Sequence, residues 1–230
     1  SEADFAELLT LCDEIDFNSF AQLEQFRTAV VHLPTGAPGE GTRPTLFGLR
    51  INPECSTQPA AHAIYDPCAP KSRLGIRRKD FDKYCRDGTA ESLPAAAGRK
   101  ARVKTCKPTS STIPALQGIS GLHFHTLCEQ NANDLKTTLQ SVEEQFGEFL
   151  PQMEWVNIGG GHHVTRSDYD IDLLCKLIND FKTKYDLQVI LEPGEAVALN
   201  AGVLISTVLD VIDNDGAIAI LDTSCTCHMP

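Results

Sequence analysis

Apolar positions recur along this chain at two spacings, and the change between them lays out the fold. Phe5, Leu8, Leu9 and Cys12 fall three and four apart, which predicts a helix. Ile15-Asp16-Phe17-Asn18-Ser19 predicts a strand, and Leu23 with Phe26 a second helix. Further strands are expected at Leu46 to Ile51, Gly121 to Thr126, Trp155 to Gly160 and Val189 to Glu192, each short, apolar and bounded by Gly, Pro or polar residues. Between them, Asn133 to Phe149 and Tyr169 to Tyr185 repeat apolar residues at helical spacing.

Strands alternating with helices of this length predict βαβ units and a parallel sheet. After Glu192 the alternation stops. Gly202 to Asp213 and Ala217 to Asp222 both have strand character, joined by Asn214-Asp215-Gly216, a tight-turn signal. The expected organisation is a β/α domain over 1–200 and the opening of a β domain over 201–230. Residues 85–115 fit neither pattern. They hold three prolines, an Ala-Ala-Ala-Gly run and a Ser/Thr cluster, and are expected to form a loop insert.

Composition narrows the class. The chain has 230 residues, 42% of them hydrophobic, enough to bury one sizeable core. Its 20 Lys+Arg against 31 Asp+Glu give a net charge of −11, which disfavours nucleic acid and anionic membrane surfaces and favours a cationic ligand. No apolar run reaches the length of a membrane span. Nine cysteines without a repeated spacing argue for reduced thiols, so a cytoplasmic location is expected.

Four groups of residues could carry chemistry. Gly159-Gly160-Gly161 follows an apolar strand and precedes a helix, where backbone amides suit a phosphate; a tight strand exit needing positive φ would also use them. His123 and His125 lie two apart at a strand end and suit a metal, a flat stacked cofactor, or buried hydrogen bonding. Glu192-Pro193-Gly194-Glu195 places a carboxylate at another strand end, either to keep a pyridine nitrogen protonated or as an exposed turn acid. Cys225-Thr226-Cys227-His228 resembles a metal clip but has no second pair at zinc spacing, so no metal site is expected.

The ordered motifs Gly48-Leu49-Arg50-Ile51-Asn52-Pro53-Glu54, Ser72-Arg73-Leu74-Gly75-Ile76, Gly121-Leu122-His123-Phe124-His125-Thr126-Leu127-Cys128-Glu129, Asn157-Ile158-Gly159-Gly160-Gly161-His162-His163 and Leu191-Glu192-Pro193-Gly194-Glu195 resemble those of the carboxynorspermidine decarboxylase family. That family is part of the fold-type III group, with the ornithine and diaminopimelate decarboxylases. The resemblance implies an α/β fold, a (β/α)8 TIM-like barrel incomplete at its N-terminus here, followed by the first strands of a C-terminal β domain. It implies pyridoxal 5'-phosphate as cofactor, a small polyamine substrate and a homodimer.

By the same resemblance, His125 stacks on the pyridine ring, Gly159, Gly160 and Gly161 hold the phosphate, Glu192 pairs with the pyridine nitrogen and Arg50 supports the site. Relatives of the ornithine type carry an arginine where this chain has Glu195, which makes Glu195 the candidate for binding a cationic end of the substrate. The Schiff-base lysine of the family is expected on a strand ahead of residue 1, and Lys71, in an expected loop, is not taken for it. Two rival functions remain open: a non-catalytic paralogue or fragment that regulates an intact enzyme, and a metal-dependent barrel hydrolase using His123 and His125.

Overall fold

The computed structural model describes residues 2–32, 45–59, 66–87 and 113–228. It divides into two compact units, Ser1–Gly194 and Glu195–Pro230. In the first, the elements run α1 (Glu2–Leu11), β1 (Glu14–Phe17), α2 (Phe20–His32), β2 (Leu46–Asn52), β3 (Ile76–Arg77), α3 (Arg78–Asp87), β4 (Gly121–His123), α4 (Ala132–Phe146), β5 (Trp155–Asn157), α5 (Ile171–Tyr185) and β6 (Gln188–Ile190). The strands form one sheet in the order β1-β2-β4-β5-β6, every pair parallel, with β3 beside the end of β2.

The register explains what each face does. Phe17, Leu49, Leu122, Val156 and Val189 lie in one row across the sheet and join the hydrophobic core beneath the helices. Side chains alternate along a strand, so the rows on either side face the other way. Those rows read Asp16, Gly48, Gly121, Trp155 and then Arg50, His123, Asn157. One face is oily and structural. The other carries charge, amide and imidazole, at the C-terminal end of the strands, where β/α barrels collect their chemistry.

The helices fold because their apolar stripes match the oily face. In α4, Leu135, Leu139, Val142 and Phe146 are buried, each of them contributing about 1.5–3 kcal/mol of transfer free energy. Its start is fixed by a capping box: Asn131 Oδ1 accepts from the Ala132 amide, while Asp134 Oδ2 accepts from the Asn131 amide. Asn131 also accepts from the Asp170 amide and donates to the Asp168 carbonyl, so α4 and the entry to α5 share one residue.

Of the 85–115 segment, residues 88–112 lie outside the described residues. Its flanks are built into the first unit. Cys85 sits in the last turns of α3, and Pro114–Leu116 forms a 3-10 turn that buries Ala115 and Leu116. Arg27 holds this turn, donating to the carbonyls of Ala115 (2.8 Å) and Gln117 (3.1 Å). The strands at 121, 155 and 188 are shorter than expected, three residues each, because the chain leaves the ladder to build loops at their C-terminal ends.

The second unit holds β7 (Val208–Asp213) and β8 (Ala217–Leu221), an antiparallel hairpin turning through Asn214-Asp215-Gly216 as expected. A short helix, α6 (Gly194–Ala198), begins at the boundary, and α7 (Cys225–His228) follows the hairpin. No helix is long and apolar enough to cross a membrane, among the described residues.

Candidate active site

Two glycines shape the inner face. An added Cβ on Gly121 would come within 2.1 Å of the Trp155 indole, and one on Gly48 within 2.4 Å of it. The indole therefore lies across both strands, its Nε1 donating to Ser120 Oγ at 3.0 Å. One layer further toward the strand ends stand Arg50, His123 and Asn157, and beyond them the loops that carry His125, the glycine run and Glu192.

His123 and His125 both approach Glu192. His123 Nε2 is 3.8 Å from Glu192 Oε1, and His125 Nδ1 is 4.0 Å from Glu192 Oε2. His123 is buried and neither ring nitrogen has a hydrogen-bond partner, while Asp16 Oδ2 stands 3.9 Å from its Nδ1. Burial pushes its pKa down to about 4, with the attraction of Glu192 opposing and Arg50 and His125 reinforcing the shift. His125 is half-buried in the loop after β4. Its pKa is lowered by burial first and then by Arg50. The Gly160 amide donates to its Nδ1 at 3.2 Å, which puts the ring proton on Nε2 when the imidazole is neutral.

The glycine run turns sharply. Gly159 (φ 71°) and Gly161 (φ 79°) adopt left-handed backbone. A Cβ on Gly160, whose φ is ordinary, would meet the Glu192 carbonyl at 2.5 Å. The glycines are thus needed for close approach between the exits of β5 and β6 as well as for the turn. The backbone confirms that approach: Ile158 N–H donates to Ile190 O, and Glu192 N–H to Gly159 O, both at 2.9 Å.

Sequence reasoning missed three polar residues on this face. Asp16 is buried enough to push its pKa up to about 7, with Glu14 and Glu192 adding to the rise and Arg50 opposing it. Glu14 is raised as well, chiefly by burial. Asn157 donates to Glu192 Oε1 at 2.8 Å and accepts from the Gly159 amide at 2.9 Å. The available signal was a polar residue inside an otherwise apolar parallel strand, where burial costs unless a partner is built.

Arg50 is half-buried, its pKa lowered by burial and supported by Glu192, Cys68 and Asp16. His162 is buried and His163 half-buried just past the glycines. Lys71 lies exposed in a turn at φ 67°. Glu195 belongs to the second unit and Glu192 to the first. The hydrolase reading required a further strand-end ligand; among the described residues no three His, Cys, Asp or Glu side chains are grouped to hold a metal.

Solved structures place this architecture. It is the β/α barrel fold of the decarboxylases that act on amino acids such as ornithine, diaminopimelate and arginine. The arginine decarboxylase of Paramecium bursaria Chlorella virus superposes with TM-score 0.61 at 18% identity, covering 93% of this chain and 47% of that one. A diaminopimelate decarboxylase superposes with TM-score 0.62 at 16% identity, over 98% and 47%.

In sequence the chain is a relative of the carboxynorspermidine/carboxyspermidine decarboxylases. The Campylobacter jejuni enzyme of that name is 39% identical over 229 residues, 100% of this chain and 48% of the relative. The carboxyaminopropylagmatine decarboxylase of Synechocystis is 35% identical over 229 residues, 99% and 48%. The crystal structure of carboxynorspermidine decarboxylase from Campylobacter jejuni, complexed with norspermidine, matches with TM-score 0.66 at 38% identity, over 97% of this chain and 46% of that one. The chain spans about half the length of the curated relatives it matches. No family model matches the chain.

Proposed function

We propose that the protein carrying this chain is a pyridoxal-phosphate-dependent carboxy-lyase that converts carboxynorspermidine or carboxyspermidine to norspermidine or spermidine. The observation that carries the proposal is the meeting of His125, the Gly159–Gly161 turn and Glu192 at the strand ends, in a chain 39% identical to a decarboxylase of those compounds. The residues fit the cofactor by their chemistry. Half-exposed His125 offers a flat imidazole for stacking, and the half-exposed Glu192 carboxylate lies 4.0 Å from it, side by side with a backbone turn free of Cβ atoms.

In this reading Gly159, Gly160 and Gly161 hold the phosphate, His125 stacks on the ring, Glu192 pairs with the pyridine nitrogen, and Arg50 balances the acidic groups of the site. Pyridoxal phosphate supplies an electron-poor ring that takes up the electron pair left at the α-carbon when carbon dioxide departs. Glu192 keeps the nitrogen protonated, and His123, held neutral by burial, adds no competing positive charge beside it. Glu195 takes a substrate ammonium, in keeping with the net charge of −11. The protein works as a cytoplasmic homodimer, as the resemblance implies, with a β domain that opens near residue 201.

Absorbance spectra with and without added pyridoxal phosphate test the cofactor assignment, and release of carbon dioxide from each carboxylated triamine tests the reaction. Binding of the cofactor without decarboxylation of either triamine, but with turnover of another amino acid, would move the assignment within the same fold.

A further inference from the structure

Asn157 closes β5 on the inner face and is 4% exposed. Its carboxamide works in two directions. The Nδ2 group donates to Glu192 Oε1 at 2.8 Å and, more weakly, to Glu14 Oε1 at 3.4 Å. The Oδ1 atom accepts from the Gly159 amide at 2.9 Å. A neutral carboxamide is suited to this task because it is donor and acceptor at once; a carboxylate can only accept, and an aliphatic side chain does neither.

Resting on the roles given above to Glu192 and the glycine turn, we propose that Asn157 is a positioning residue that locks the phosphate-holding turn and the pyridine-pairing carboxylate into one unit. Its action runs through Glu192, whose carboxylate it orients, and through Gly159, whose amide it holds in the turn. The neutrality of Asn157 matters because the groups around Glu192 are already crowded with charge. Glu14 and Asp16 face it from β1, Arg50 from β2, and His123 and His125 from β4 and its exit.

The test is a swap of donor and acceptor in the native protein, read by calorimetric affinity for pyridoxal phosphate and for inorganic phosphate at pH 6 and pH 8.5, alongside kcat. Asn157→Asp keeps the acceptor for Gly159 but sets a second carboxylate against Glu192, so it can bridge only while one of the two is protonated. Its cofactor affinity should be near wild type at pH 6 and roughly tenfold weaker at pH 8.5. Asn157→Leu should be roughly tenfold weaker at both. Combining Asn157→Asp with Glu192→Gln rebuilds the bridge with its polarity reversed. Affinity should then be tighter than that of Asn157→Asp alone at pH 8.5, by roughly threefold or more, while kcat stays low because the nitrogen faces an amide.

Asn157→Asp behaving as wild type at both pH values, or a swap no tighter than the single variant, would overturn the proposal. The near-isosteric Asp and Gln variants decide it even where Asn157→Leu does not fold. Wild-type protein that binds neither pyridoxal phosphate nor phosphate would overturn the cofactor reading itself, an outcome separate from wild-type binding with indifferent variants.

Discussion

The indole of Trp155 occupies the space where a side chain on Gly121 would begin, 2.1 Å from the ideal Cβ position. An indole held by neighbouring strands and by Ser120 has little room to retreat, so Gly121→Ala overpacks the inner face. The expected cost is about 1–3 kcal/mol, seen as a melting temperature lower by about 2–10 °C. Trp155→Leu in the same background should recover part of the loss, a coupling that a thermal-denaturation double-mutant cycle reads directly.

Asp16 and His123 make opposite demands on pH. Asp16 has its pKa raised to about 7 from 3.8, so folded protein binds the extra proton between those values and stability falls as pH rises. His123 has its pKa lowered to about 4 from 6.5, so the unfolded chain binds the extra proton and stability rises with pH through that window. Between about pH 4 and 6.5 the two contributions cancel. Asp16→Asn should therefore make stability climb with pH relative to wild type, by up to about 1.4 kcal/mol per unit, and His123→Gln should do the reverse. Urea unfolding at pH 4.5 and 6.5 measures both slopes; parallel curves for all three proteins would refute the assignment.

Arg27 is the tie between α2 and the turn at Pro114–Leu116. Its side chain is 13% exposed and binds the carbonyls of Ala115 and Gln117, the Glu24 carboxylate and the Tyr84 hydroxyl. Arg27→Leu leaves the carbonyl of buried Ala115 without its Arg27 donor and should cost about 1–3 kcal/mol in chemical denaturation. The same geometry bears on trimming the chain. A deletion of 85–115 removes buried Ala115, whereas one confined to 88–112 keeps it and the last turn of α3.

Glu192 and Glu195 should separate in kinetics. With Glu195 in the substrate-binding role proposed above, Glu195→Gln should lower kcat/KM for the carboxylated triamine roughly ten- to a hundredfold with cofactor affinity nearly unchanged. Glu192→Gln should lower kcat for every substrate by weakening ring protonation. Steady-state rates paired with cofactor titrations distinguish them. Loss of cofactor binding in Glu195→Gln with intact KM would reverse the two roles.

The helices α4 and α5 were legible because their apolar residues repeat at helical spacing, and the buried positions Leu135, Leu139, Val142, Leu174 and Phe181 follow that spacing. The hairpin was legible from its turn. The two-residue β3 was not, since a pair such as Ile76-Arg77 carries no period. Asp16 and Asn157 escaped for a different reason. Each is a single polar residue in a short strand, and its importance depends on neighbours brought in by other strands across more than a hundred residues, Asn157 reaching Glu14 and Asp16 approaching His123. The glycine run announced itself, but its second duty, admitting the Glu192 carbonyl, exists only in three dimensions.

Trp155 is the one tryptophan in the chain, and it lies in the first unit, beneath the layer of Arg50, His123 and Asn157. The chain thus carries an intrinsic optical reporter beneath the polar layer of its inner face. Emission from this indole originates in the first unit, since the second has no tryptophan. Far-ultraviolet dichroism sums over both units. Recorded side by side during denaturation, the two signals report whether the first unit melts together with the whole chain or apart from it, with no label introduced.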